Sequence, residues 1–186
     1  RDGNPVERHH RAGEAEGAGA GGSGVCEIVI AVPEMELIPY KQFAKLRLRK
    51  FVAKNVEISK TDGWEWMEGY WINEGAYGFT SFSREEDTTD ETGGLEMDFS
   101  ELPKDSAQRM LDAICLPLRA GMKLKEVYAV LGEPKKKDTL GKYGHDRQTD
   151  EFEIGFSHQY HVECTVHKKN GLIYLSVIRG DVLKRI

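Results

Sequence analysis

Between positions 158 and 167 lie His158, His161, Glu163, Cys164 and His167, the one metal-like grouping in the sequence. Read as a strand, 161–168 puts His161, Glu163, Thr165 and His167 on one face and Val162, Cys164 and Val166 on the other. Two histidines six residues apart on a strand are separated by about 20 Å, too far to share one ion. His161 and Glu163, about 7 Å apart, would need His158 to complete a site. The pattern reads as a polar solvent face. Cys164 reads as a buried small hydrophobe with no base on its own side of the strand. No metal and no cofactor is expected, and no residue is assigned as catalytic.

Other candidates for chemistry are fainter still. Gly75 to Gly78 and Gly141 to Gly144 are turn-like pairs, not phosphate cradles opening a helix. His145-Asp146 would need a distant serine to become a triad, and His9-His10 sits in a glycine-rich tract that fixes nothing. The three cysteines, Cys26, Cys115 and Cys164, are far apart and odd in number, so they give neither a disulfide framework nor a CxxC site.

Recognition is the stronger theme. Trp64, Trp66, Tyr70, Trp71, Tyr77, Phe79 and Phe82 fall within 64–82. Aromatic rings are favoured interface anchors because they bury large area at little entropic cost. On one continuous strand, alternation puts Trp64, Trp66 and Tyr70 on one face and Trp71 on the other. One face must be core, so Trp71 is the expected exposed ring, with Tyr77 beside it across the Gly75 turn. Lys45-Leu46-Arg47-Leu48-Arg49 reads as a half-buried strand whose bases form a stripe, able to steer a partner of opposite charge.

These residues need elements to hold them. Residues 1–24 carry seven of the twenty glycines and one large apolar residue, Val6, and read as a disordered leader or linker. Strands are expected at 25–32, 43–52, 55–59, 64–73 and 77–82, with turns at Thr61-Asp62-Gly63 and Asn73-Glu74-Gly75. Nine acids against two bases mark 83–105 as an acidic loop closing a β-rich half, 25–100. In 101–186, Ser100 caps a helix over 103–115, and a second runs from Lys123 to Leu131, ending at Gly132 in a left-handed conformation. A basic loop through Lys135-Lys136-Lys137 leads to three strands, 151–157, 161–168 and 172–179, the last two joined by an Asn170-Gly171 hairpin.

With 39% hydrophobic and 31% charged residues in 186, the chain suits one ordinary soluble domain or two very small ones. Its net charge of -5 argues against a duplex nucleic-acid binder, and no apolar run is long enough to span a bilayer. Val25 before Cys26, with no apolar run ahead of it, argues against lipidation there. Location stays open between the cytoplasm and, if a signal peptide has been removed, the periplasm or cell envelope.

Leu118 to Pro134, LRAGMKLKEVYAVLGEP, with alternating strands after it, resembles the β-lactamase-inhibitor-protein-like superfamily, which includes the SmpA/OmlA proteins. Gly121, Met122, Val127, Leu131, Gly132 and Pro134 carry the likeness, which covers about the last third of the chain. The resemblance implies a non-catalytic module whose sheet face binds another protein. The expected fold is α+β: antiparallel sheet with two helices packed on one face. The expected function is a protein-binding inhibitor, immunity-type or assembly factor. Its contact residues would be Trp64, Trp66, Tyr70, Trp71, Tyr77, Lys45, Arg47 and Arg49. The alternative is a small enzyme or ligand-binding domain with a pocket between sheet and helices.

Overall fold

Alternation of apolar and polar side chains is clearest from Arg147 onward, and there it builds three long antiparallel strands. β6 (Arg147–Ile154), β7 (Tyr160–His167) and β8 (Gly171–Arg179) follow one another in a meander, with β5 (Lys136–Asp138) on the outer side of β6. The computed structural model describes residues 35–64, 67–72, 76–82, 91–138 and 145–184; of 60–82 it describes the backbone alone. Four earlier strands, β1 (Ser59–Trp64), β2 (Met67–Ile72), β3 (Ala76–Phe82) and β4 (Thr92–Asp98), form a second meander. β4 pairs with β8, Gly94 opposite Ile178 through Asp98 opposite Tyr174. The two meanders thus make a single eight-stranded antiparallel sheet in the order β1-β2-β3-β4-β8-β7-β6-β5. The fold is α+β.

One face of the sheet supplies the core. Leu95 and Met97 of β4, Phe152 and Ile154 of β6, Tyr160, Val162 and Cys164 of β7, and Leu175 and Val177 of β8 join one buried cluster. Two helices add to it. α2 (Lys104–Ala113) contributes Ala107, Met110 and Leu111, and Ile114 and Leu118 beyond its end are fully buried. Cys115, at φ 60, turns the chain out of α2. α3 (Leu124–Leu131) contributes Val127 and Leu131 at helical spacing. Its first turn is closed by Glu126, whose carboxylate accepts the Lys123 backbone N–H at 2.6 Å. Just before α3, Gly121 N–H donates to the Leu172 carbonyl and Leu172 N–H to the Met122 carbonyl, which fastens this segment to the start of β8.

Several elements differ from the sequence expectation. Residues 43–52 are not a strand. Pro39, at φ -57, starts one helical turn, α1 (Tyr40–Phe43), and a 3₁₀ turn follows at Leu48–Lys50. Phe43, Leu48, Phe51 and Val52 are buried at turn-like spacing, and the period of two in Leu46 and Leu48 is too short to decide. Thr61-Asp62-Gly63 lies inside β1, where its turn chemistry produces a register irregularity between Asp62 and Trp64. β1 then ends with Trp64 opposite Met67, so 64–73 is not one strand. The acidic stretch 83–105 contains β4, whose alternate residues Leu95 and Met97 are fully buried while Glu96 and Asp98 take the other face. Lys136 and Lys137, placed in a loop from their charge, form the edge strand β5, which gives the C-terminal part four strands rather than three.

The boundary signals fare unevenly. Ser100 does not cap α2; its N–H and hydroxyl both donate to Asp98, and Pro103 precedes the helix. Gly132 has the expected positive φ, 81°, but a ψ of -161° keeps it out of the left-handed helical region. The Asn170-Gly171 hairpin is present, with Gly171 at φ 76°. A last helical turn, α4 (Gly180–Leu183), follows β8. The expectations for 1–24, the strand 25–32, Cys26, Trp66, the 73–75 turn and Gly141 to Gly144 lie outside the described residues.

Candidate functional site

The aromatic segment is placed at one end of the sheet. Backbone register sets Trp71 of β2 directly opposite Tyr77 of β3, Tyr70 opposite Phe79, and Trp64 of β1 opposite Met67. A shift between Tyr70 and Trp71 marks a bulge at this point. The three bases at 45–49 do not form a stripe, because their segment is made of turns. Lys45 is exposed. The Arg47 guanidinium is half-buried and donates to the Ala44 and Leu46 carbonyls at 2.8 and 2.7 Å. Arg49 donates to the Ala53 carbonyl at 3.1 Å. Arg47 and Arg49 thus satisfy turn carbonyls that a strand would have paired.

The sheet's second face is polar. Pairing places Lys136, Glu151, Glu163, Ser176 and Glu96 in one row across β5, β6, β7, β8 and β4. Glu151 stands directly opposite Glu163, a like-charge pairing that weakens a sheet unless countered. Lys136 partly counters it, its Nζ 2.7 Å from Glu151 Oε1. Burial, reinforced by the Glu163 charge, pushes the Glu96 carboxyl above its ordinary value, although a Tyr174 hydrogen bond opposes this. The next row holds Thr149 and Thr165, hydroxyl to hydroxyl at 3.0 Å, then Tyr174 and Asp98. On this face a hollow of about 420 Å³ is bordered by Glu96, Asp98, Arg147, Thr165, His167 and Tyr174.

β7 divides as its period suggested, His161, Glu163 and His167 half-buried on this face and Val162, Cys164 and Val166 buried on the other. Among the described residues no three His, Cys, Asp or Glu side chains are grouped to hold a metal. His167 instead closes the β7–β8 turn, its Nδ1 accepting the Lys169 and Asn170 backbone N–H groups at 3.2 and 3.1 Å.

Cys164 is buried as expected, and pairing adds a carboxylate on its side of the sheet. Asp150 of β6 stands opposite it, 1% exposed on the core side. Burial first, then the Asp150 and Glu163 charges, push the thiol far above its ordinary value, which keeps it a protonated, inert hydrophobe. Asp150 is satisfied by the Tyr128 hydroxyl at 2.6 Å and by the Gln148 amide at 2.8 Å. Tyr128 comes from α3, so this triad, with Asp150 buried and its two partners half-buried, ties helix to sheet. Sequence reasoning missed it because Gln148 and Asp150 break the apolar alternation that Phe152 and Ile154 continue.

No family model, no curated protein and no solved structure matches the chain at a significant level.

A second hollow lies between the N-terminal end of α3 and the adjoining ends of β6 and β7. It encloses about 700 Å³, with Leu124 and Val166 in its wall and Lys123, Lys125, Arg147 and Lys168 around it. Two hydrogen-bonded clusters flank the sheet elsewhere. At the β6–β7 turn, Glu36 Oε1 accepts the Phe156 and Ser157 backbone N–H groups, both at 2.7 Å. Those two donors hold its carboxyl below the usual carboxylate range. Arg179, 5% exposed at the end of β8, pairs with Asp181 at 2.6 Å and Glu91 at 3.5 Å and lies 5.3 Å from the Tyr40 ring centre. No helix among the described residues is long and apolar enough to cross a membrane.

Proposed function

We propose that the protein is a non-enzymatic protein-binding module, an inhibitor, immunity-type or assembly factor, that docks its partner on the sheet at its aromatic end. The observation that carries this reading is the Trp71–Tyr77 pairing. Two aromatic residues stand opposite each other on neighbouring strands of an antiparallel sheet whose β4–β8 part commits one face to the core. Aromatic residues at opposed strand positions are favoured anchors, because rings bury large area at little entropic cost. The order of α2, α3 and an antiparallel meander within 101–186 also suits the likeness, carried by about the last third, to the β-lactamase-inhibitor-protein-like and SmpA/OmlA proteins. Lys45 and Arg49, exposed on turns, supply charge for steering, while half-buried Arg47 has the smaller share.

The test is a binding measurement with a partner purified after affinity capture on the full chain. Trp71→Ala should speed dissociation about 30-fold or more, the size of an anchor ring's loss, with an unchanged melting temperature. Arg49→Ala should slow association mainly at low salt. Unfolding of Trp71→Ala, with normal binding by its folded fraction, would make the ring a core residue and end this reading.

A further inference from the structure

We propose that the hollow between α3 and the β6–β7 edge is a binding site for an amphipathic anion, an organic acid with an apolar tail. This site is separate from the aromatic end of the sheet and stands or falls independently of the protein-binding reading.

Three features point to this ligand. The first is size: about 700 Å³ lies in the range of pockets that hold small organic molecules. The second is the wall, which is mostly carbon. Val166 is 7% exposed and belongs to the hydrophobic cluster, and Leu124 packs against that cluster. The nearby Gln148 amide nitrogen is turned toward Asp150 and Tyr128, at 2.8 and 3.1 Å, and is committed to them. The third is charge. Among the described residues Lys123, Lys125, Arg147 and Lys168 supply four cations against one carboxylate, Asp146, in a chain whose net charge is -5. Asp146 is 3.7 Å from Lys168, and both are well exposed, so it offsets little of that excess. Lys123 is held in place, its Nζ donating to the Lys169 carbonyl at 2.8 Å.

A bare anion would gain from the cations but would leave an apolar wall wet. A neutral apolar molecule would cover the wall and leave the cations unused. A carboxylate, sulfate or phosphate head at the rim with a hydrocarbon tail toward Val166 satisfies both. The head could belong to a free fatty acid or to a membrane lipid, and the experiment separates these sources.

The experiment is calorimetric titration of the full chain with decanoate below its micelle concentration, beside decanol, inorganic phosphate and phosphatidylglycerol vesicles. Decanoate should bind one to one, at least about 10-fold tighter than decanol or phosphate, and should weaken as salt rises from low to physiological strength. Lys125→Gln and Arg147→Gln, both at exposed positions, should each weaken it about five-fold with unchanged circular dichroism. The proposal is overturned if decanoate does not bind, if phosphate binds as well, or if both substitutions leave the affinity unchanged. Binding to the vesicles as well as to free decanoate would assign the head to a membrane lipid, whereas binding to the vesicles without binding of free decanoate would place the cations on a lipid surface outside the hollow and overturn the proposal.

Discussion

Asp150 occupies a position where the alternation of β6 calls for an apolar side chain, and it is tolerated because Tyr128 and Gln148 satisfy its oxygens. Removing one of those donors leaves a buried carboxylate short of a partner, so Tyr128→Phe should cost about 1–3 kcal/mol in denaturant unfolding. The pH dependence gives a second readout, whose sign Tyr128 shares with Tyr40 and Tyr160. Burial, with the Asp150 hydrogen bond and charge added, pushes the Tyr128 hydroxyl well above its ordinary value of 10. Above that pH the unfolded chain loses a proton that the folded chain keeps, so stability falls as pH rises, and part of that slope should vanish in Tyr128→Phe. The Glu36 carboxylate behaves in the opposite sense. Its lowered value makes its contribution present above the ordinary value of 4.5 and lost as pH falls through that range. Glu36→Ala should therefore speed hydrogen exchange of the Phe156 and Ser157 amides at neutral pH and leave those of β8 unchanged. Neither residue was legible in the sequence, since Glu36 is about 120 positions from the turn it holds and spacing along a chain does not report such contacts.

At the scale of elements, legibility followed the length and clarity of each pattern. β7, β8, α2 and α3 were readable because several apolar residues repeat at one period between strong boundary residues. The stretch 43–52 was misread because two leucines fit a strand and a pair of turns equally well, and burial of Phe43 and Phe51 decided for turns. β4 was hidden by its charge: Glu96 and Asp98 are the polar half of an alternation whose apolar half, Leu95 and Met97, is only two residues long. Glycine positions also differ in weight. Gly132, at φ 81° and ψ -161°, holds a backbone conformation that is essentially glycine's alone, so Gly132→Ala should cost about 1–3 kcal/mol. At Gly171 a Cβ would also lie 2.0 Å from the Gly121 carbonyl oxygen, inside the fastening that joins the start of β8 to the segment before α3. Gly171→Ala should cost roughly 3 kcal/mol or more, and a smaller loss than in Gly132→Ala would refute this account of the joint.

For the whole molecule, the pairing of β4 with β8 makes one sheet of two meanders, which the expected β-rich half and C-terminal module left unstated. Its three tryptophans all lie between 64 and 71, while most described helical residues lie beyond 103. Tryptophan fluorescence and far-ultraviolet circular dichroism therefore watch different parts of the molecule, and their unfolding curves should coincide if the sheet is one cooperative unit. Separate midpoints would show that the first meander melts on its own. The same pairing also shapes the route by which the protein folds. Each meander closes through neighbours in sequence, but Asp98 meets Tyr174 only after the chain between them has been gathered, an entropic outlay of about 4 kcal/mol for a loop of that length. High contact order at the centre of the sheet makes the union of the two halves the slow event in refolding, and until it happens both inner edges remain open to strands of other molecules.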